Sequence, residues 1–427
     1  MTFYPIILML ILFAINVPIA YSLIISTLYY FLFINNSLPI QMVLQRMVSA
    51  SESFPILAIP FFVTAGTIMN YSGITSRLMQ LADLLVGHIV GGMGHVNVLL
   101  STMMGGLSGS SNADAAMQSK ILVPEMEKRG YSKGFSAAVT ATSSIITAII
   151  PPGINLIIYG FLADVSIGKM FVAGILPGTL MCLSLMVVVS IISRKRGYPP
   201  SREKRATFKE ILQQLKSSIW ALLVPFGLIM GLRLGIFTPT EAGALTVIYS
   251  LIIGVFIYKE LKLEHLPSII EESVLVTSTV MFILVAASAF SYYMSWERIP
   301  QMTSQILINM ASNKYIFLLL VNILLIFLGM FIEGTASLII LTPLLVPTAV
   351  KLGINPIHFG IVMVLNICIG GVTPPFGTMM FVVCSILKLP IMTYVKEVMP
   401  FLIALLAVLF LSTYAPGIIM LLPNLLG

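Results

Sequence analysis

Residues 105–116 read GGLSGSSNADAA, and within them Ser108, Gly109, Ser110, Ser111 and Asn112 are five consecutive small or hydrogen-bonding positions between two apolar arms. Such a run packs poorly as a core and offers good ligand chemistry. The surrounding chain has the composition of a membrane protein. Of its 427 residues 58% are apolar and only 9% charged, mean hydropathy is +1.03, and the charges fall in short intervals between apolar runs. In a bilayer each unpaired N–H or C=O costs several kcal/mol, so irregular backbone at that depth survives only inside protein or beside a cavity. Residues 93–123 are therefore expected to form a re-entrant helical hairpin whose tip lines a site, each arm being too short to span alone.

The same composition excludes other classes. No stretch has the charged surface of a sizeable soluble domain. The first apolar run, 3–33, is too long for a signal-peptide core and is expected to remain as a span, bent at Pro18. The net charge of +7 does not imply a nucleic-acid partner, because the basic residues are scattered over loops flanking the spans without aromatic interleaving. Cys182, Cys368 and Cys384 have the spacing of neither a metal site nor a disulfide framework and are expected to be buried thiols. His88, His95, His265 and His358 are isolated from one another, as interfacial or packing histidines are. With no metal-spaced His/Glu set and no nucleophile beside a base, an embedded enzyme has no support, and no organic cofactor is expected.

A second interruption falls in the apolar run 135–162, at Pro151-Pro152-Gly153. Proline removes an N–H and clashes with the preceding turn, so the pair breaks the helix and frees carbonyls at mid-depth. Further spans are expected at 53–72, 171–192, 218–235, 240–258 and 273–294, with surface helices at 75–87 and 298–313. A second hairpin, 315–346, carries the tip Glu333-Gly334-Thr335-Ala336-Ser337, its arms again read as half-length. A second broken helix, 356–387, is interrupted by GGVTPPFG at 370–377.

These later elements repeat the earlier ones. Pro124, Pro151, Pro152 and Pro177 recur at Pro347, Pro374, Pro375 and Pro400, and Lys128 and Gly130 recur at Lys351 and Gly353, always 223 positions on. In that register Asn112-Ala113-Asp114 falls on Thr335-Ala336-Ser337, and Asn155 on Thr378. The chain thus divides into a first repeat (1–193), a basic loop (194–217) and a second repeat (218–427) whose opening spans, 218–294, form a scaffold. If the basic loop is cytoplasmic, 17 of the 23 Lys and Arg lie on that side and 6 outside, as the positive-inside rule favours. The N-terminus is then cytoplasmic and the C-terminus periplasmic, and the hairpins enter from opposite faces. The fold class expected is an all-α polytopic membrane protein with inverted repeats, two re-entrant hairpins and two broken helices, the architecture of secondary transporters.

A cation inside a membrane must exchange water for other oxygens, and unwound carbonyls with Ser, Thr and Asn side chains supply them. Sodium fits such ligands. The first site is expected from Ser108, Gly109, Ser110, Ser111 and Asn112 against Thr147, Ile150 and Pro151. The second is expected from Glu333, Gly334, Thr335 and Ser337 against Gly370, Val372, Thr373 and Pro374. Helix N-termini at the same tips offer N–H groups to an anionic substrate, with Ser110, Asn112, Asn155, Thr335 and Thr378 as its candidate contacts. The competing reading is that Ser and Gly there only permit close helix packing. Asp114 and Glu333 either bind or cap a hairpin helix, and Arg233 and Glu241 are expected as a solvated pair.

The tip SGSSNADAA, the following ILVPEM, the mid-span PPG, and the later EGTASLIILTPLLVP and GGVTPPFG resemble, in that order and over essentially the whole chain, the large membrane subunit of tripartite ATP-independent periplasmic (TRAP) transporters. The resemblance implies an elevator-type sodium symporter of the bacterial inner membrane, in which a domain carrying both hairpins slides against a scaffold. It also implies a small Q-type membrane subunit, expected as a separate chain, and a P-type periplasmic binding protein that delivers an organic acid. Similar members carry sialic acid, C4-dicarboxylates or other keto and sugar acids, and the overall look leans towards sialic acid.

Overall fold

The computed structural model describes residues 3–35, 39–107, 109–310 and 313–426. Ser108 thus lies outside the described residues. The chain opens with α1 (Tyr4–Ala14) and α2 (Ile19–Tyr29), the latter running on into a π-turn at Tyr30–Ile34. The first apolar run is therefore two helices and not one bent span. The left-handed Asn16 (φ 64°) ends the first, and Pro18, at φ −55° and ψ 142°, starts the second.

Next come α3 (Gln41–Ser51), α4 (Ala58–Tyr71) and the surface-type helix α5 (Ile74–Val86). The first hairpin is α6 (Gly92–Gly105) and α7 (Ser111–Lys128), and the first broken helix is α8 (Lys133–Ser144), a 3₁₀ turn at Ile145–Ala148, and α9 (Ile154–Leu162). The return span α10 (Ile167–Arg196) and the span α11 (Phe208–Arg233) both extend into the segment expected as loop, leaving only 197–207 as the connection. They are followed by α12 (Pro239–Ile252), α13 (Leu266–Trp296) and α14 (Ile299–Met310). The second hairpin is α15 (Lys314–Phe331) and α16 (Gly334–Lys351), the second broken helix α17 (Pro356–Val372) and α18 (Thr378–Leu387), and the chain closes with α19 (Ile391–Tyr414) and α20 (Pro416–Leu426).

Eight helices among the described residues are long and apolar enough to cross a bilayer. Three hairpin arms, α7, α15 and α16, have 18 residues each, or about 27 Å at 1.5 Å per residue. The half-length expectation holds only for α6, with 14 residues. α7 and α16 keep going because Pro124, Pro343 and Pro347 are accommodated inside them.

Two sets of helices pack around one another. In one, α13 lies against α2, α3 and α4, while α4 also meets α12. In the other, α7 packs on α8 and α18, α16 on α9, α15 on α17, and α19 on α8. The repeat register survives in the caps. Ser110, whose hydroxyl accepts from Ala113 N–H (3.4 Å), starts α7, and Glu333, 223 positions later, starts α16 by accepting from Ala336 N–H (3.2 Å). Ser132 and Asn355, again 223 apart, cap α8 and α17. The Pro–Pro bonds at the two helix breaks, 151–152 and 374–375, are cis. The three thiols are free and buried, as expected.

The Arg233 side chain, half of the expected pair with Glu241, lies outside the described residues; Glu241 itself serves as a cap. Its carboxylate accepts from the Thr238 N–H (2.8 Å) and hydroxyl (2.9 Å) in a capping box at the start of α12.

Candidate functional site

The two hairpin tips meet at a cavity of about 690 Å³. From the first tip Gly109, Ser110, Ser111 and Asn112 line it, and from the second Glu333, Gly334 and Thr335. Asn155 at the start of α9 and Thr378 at the start of α18 complete the polar part. All five residues expected to contact substrate, Ser110, Asn112, Asn155, Thr335 and Thr378, thus face one space. Asn155 ties the copies together: its Oδ1 accepts from the Thr335 hydroxyl (3.4 Å), and its Nδ2 lies 3.9 Å from the Cys368 thiol on α17.

The tips reach this position because small residues let backbone approach backbone. A Cβ on Gly109, which sits at φ +58°, would come 2.5 Å from the Pro152 carbonyl, and the Gly109 carbonyl accepts from Ile154 N–H (3.3 Å). On the other side a Cβ on Gly329 would stand 2.9 Å from the Ile367 carbonyl, and one on Gly370 would stand 2.7 Å from that of Ile326.

The remaining expected ion ligands stand behind the tips, outside the cavity lining. The Thr147 hydroxyl donates to Ser144 O (2.5 Å), and Ile149 and Ile150 both donate to Ile146 O. Ile150 packs its side chain on Gly105 and Gly178, and Pro151 is buried at the break. In the second copy the Gly370 carbonyl accepts from Thr373 N–H and the Thr373 carbonyl from Gly377 N–H. The Val372 carbonyl accepts from the Tyr394 hydroxyl (3.2 Å), and the Thr373 hydroxyl donates to Ile369 O (2.6 Å). Pro374 follows directly, and Ser337 is buried, its hydroxyl donating to Ile332 O (3.4 Å).

Sequence reasoning missed two features. The wall opposite the tips is apolar and comes from α2 and α13: Ile19, Leu275, Val276, Val280 and Ile283. Thr279, the hydroxyl in that wall, is already spent on Leu275 O (2.8 Å). Behind the first tip lies a buried polar network. The Asp114 Oδ2 accepts from Ser101 (2.9 Å) and Gln118 (2.8 Å), the Ser101 and Ser143 hydroxyl oxygens lie 3.1 Å apart, Ser143 donates to Asn97 (2.7 Å), and Asn97 to Thr140 (2.7 Å). All six are at most 1% exposed or fully buried. Asp114 is therefore not a lining residue but ties α7 to α6. The signal was present as polar pairs at i,i+4 in apolar arms, Asn97/Ser101 and Asp114/Gln118.

A cavity of polar helix ends facing an apolar wall, between spans of bilayer length, defines a polytopic membrane transporter fold. The YdaH transporter of Alcanivorax borkumensis has the same fold, with a TM-score of 0.67 at 12% identity, covering 97% of this chain and 98% of that one. Residues 6–418 match the family model described as the DctM component of the tripartite ATP-independent periplasmic transporter. The large permease protein SiaM of the sialic acid TRAP transporter of Vibrio cholerae is 40% identical over 412 residues, 96% of this chain and 95% of the relative. The large permease protein DctM of the C4-dicarboxylate TRAP transporter of Pseudomonas aeruginosa is 36% identical, covering 90% of this chain and 89% of that one. This chain belongs to the family of large membrane subunits of TRAP transporters; it is a transporter permease and not an enzyme.

Proposed function

We propose that this chain is the carrier of a sodium-coupled uptake system for an organic acid anion, working by an elevator movement. One observation carries the reading. Every polar group lining the cavity that is not spent on its own helix belongs to the hairpins and broken helices, whereas α2 and α13 present an apolar wall. A substrate held by the tips has nothing polar to release from the wall when one body slides past the other. The smooth side lets the polar side move with its load.

Sodium is the cargo that makes the break carbonyls useful. Each carbonyl has two lone pairs, so the Gly370, Val372 and Thr373 oxygens, each with one protein donor, retain capacity for an ion. The first tip supports the same role through the Ser111 hydroxyl, which has no hydrogen-bond partner among the described residues. The organic acid is expected to be sialic acid, with C4-dicarboxylates or other keto and sugar acids as the alternative; relatives with both kinds of name align over most of this chain. The working unit includes a Q-type small membrane subunit and a P-type periplasmic binding protein, in a bacterial inner membrane with the N-terminus cytoplasmic and the C-terminus periplasmic.

Reconstitution of the three components tests this. Uptake of the acid into proteoliposomes should require sodium and show a Hill coefficient above one. Undiminished uptake with choline in place of sodium, driven by a proton gradient, overturns the coupling; transport without substrate counterflow overturns the carrier.

A further inference from the structure

In the set of helices around α13, α2 and α12 end alike. Each runs into a π-turn, Tyr30–Ile34 after α2 and Ile253–Ile257 after α12, and the two turns are 223 positions apart. Such turns are rare and recur at functional places. Each of them holds the start of a helix from the opposite repeat. The Tyr30 hydroxyl donates to the Glu297 carboxylate just ahead of α14 and accepts from Asn35 Nδ2 (3.0 Å), and the Tyr30 ring packs 4.7 Å from that of Tyr293. In the other copy Tyr258, directly after the second π-turn, carries the Arg77 guanidinium of α5 at 3.8 Å over its ring, a cation–π contact. Arg77 also donates to the Glu260 carboxylate (2.6 Å), and its own carbonyl accepts from Gln214 (3.1 Å) and Ser218 (3.2 Å) on α11.

The helices so held are the two that join the packed sets: α5 leads from α4 to α6, and α14 from α13 to α15. Each starts at a left-handed residue, Gly73 (φ 75°) before α5 and Arg298 (φ 54°) before α14. At Gly73 a Cβ would run into the Glu260 carboxylate, and Arg77 donates back to the Gly73 carbonyl (2.9 Å), so lock and turn are one piece. The rest of each helix belongs to the hairpins. The Gly87 carbonyl beyond α5 accepts from Ser201 N–H (2.8 Å), in a connection whose Pro199 carbonyl accepts from the Tyr131 hydroxyl (2.7 Å) at the base of the first hairpin, and α14 packs along α16. Resting on the elevator reading, we propose that the two locks are the bearings on which α5 and α14 turn. Their contacts are kept throughout the movement, while Gly73 and Arg298 absorb the change of backbone angle, as element-terminal hinge residues do. Tyr30 and Glu297, with Arg77, Tyr258 and Glu260, are then positioning residues for transport and touch no substrate. The crossing of the repeats gives the bearings their use. Each connecting helix is seated on scaffold supplied by the other repeat, and that scaffold is one body, α13 packed on α2 and α12 on α4, so the two turn together.

Counterflow of labelled N-acetylneuraminate and of labelled succinate in proteoliposomes holding the three components gives the exchange rate, and its dependence on sodium gives the half-saturating concentration. Tyr30→Phe and Arg77→Met should each slow counterflow about tenfold, the scale of one lost hydrogen bond to a charged group, at unchanged half-saturating sodium. An unchanged rate in the folded variants overturns the proposal. Faster counterflow overturns it as well, because the lock would then be a latch that restrains one state, and a rate lost in step with sodium affinity would assign these residues to the ion sites instead. If the variants do not fold, the paired substitutions Arg77→Cys and Glu260→Cys, bridged by a short bifunctional maleimide and compared with the unaltered protein given the same reagent, decide the matter. A bearing that never opens keeps its counterflow when bridged; arrest on bridging overturns the proposal. Counterflow of neither acid by the unaltered complex would remove the carrier reading itself, and this proposal with it.

Discussion

The Ile154 amide donates to the Gly109 carbonyl across 3.3 Å, so the first hairpin tip is fastened by a main-chain bond to the residue that resumes the first broken helix. Tip and break therefore form one unit, and a change at either is felt at both. Gly109→Ala adds a Cβ 2.5 Å from the Pro152 carbonyl at a left-handed backbone position. The conformation alone costs about 1–2 kcal/mol for a residue with a Cβ. The expected outcome is a lower melting temperature in detergent together with a sodium half-saturation raised about tenfold, the equivalent of about 1.4 kcal/mol at the site. Unchanged values of both would mean that the tip does not rest on the break.

Asn112→Ala and Thr335→Ala each remove one side-chain oxygen from a tip. Losing one ligand should cost about 1–3 kcal/mol, raising the sodium requirement for uptake roughly 5- to 150-fold. Folded yield should change little, since Ala still packs closely. Lower yield with sodium dependence intact would identify the tips as packing devices.

Lys128 ends α7 and Lys351 ends α16, 223 positions apart. In an inverted repeat the two ends lie on opposite sides of the membrane. An impermeant maleimide should label a cysteine at Lys128 only from the cytoplasm and one at Lys351 only from the periplasm. Labelling of both from one face would remove the inversion.

Ser143 is the junction of the buried network, its hydroxyl 3.1 Å from that of Ser101 and donating to Asn97. Ser143→Ala leaves the Asn97 Oδ1 and one Ser101 bond unmade in a fully buried position, which should cost about 1–3 kcal/mol. Thermal unfolding would show it. Because the network sits behind the tip, the loss should appear in stability first and in sodium affinity second.

Both tips and both breaks were legible in the sequence because their chemistry is local: proline pairs, runs of Ser and Gly, and a register that repeats them. Arm lengths were not, since the expected bounds, 93–123 and 315–346, stop just short of Pro124 and Pro347, which are instead absorbed within α7 and α16. The apolar wall was invisible for a different reason. Ile19, Leu275 and Val280 look like any lipid-facing residue, and only their place in the cavity lining together with the tips gives them a role. Asp114 was identified as exceptional, but the network it joins through Ser101, Gln118 and Ser143 draws on α6, α7 and α8, and a capping residue and a network residue look alike until those helices are placed.

Of the three native cysteines, Cys182 and Cys384 are buried away from the cavity, while Cys368, 8% exposed, stands in its wall within reach of Asn155. The protein thereby carries an intrinsic reporter of occupancy. If the acid occupies the cavity as proposed, a small mercurial that modifies Cys368 competes for the same space, and its rate of reaction measures how often that space stands open, on an unmodified chain and without any engineered label.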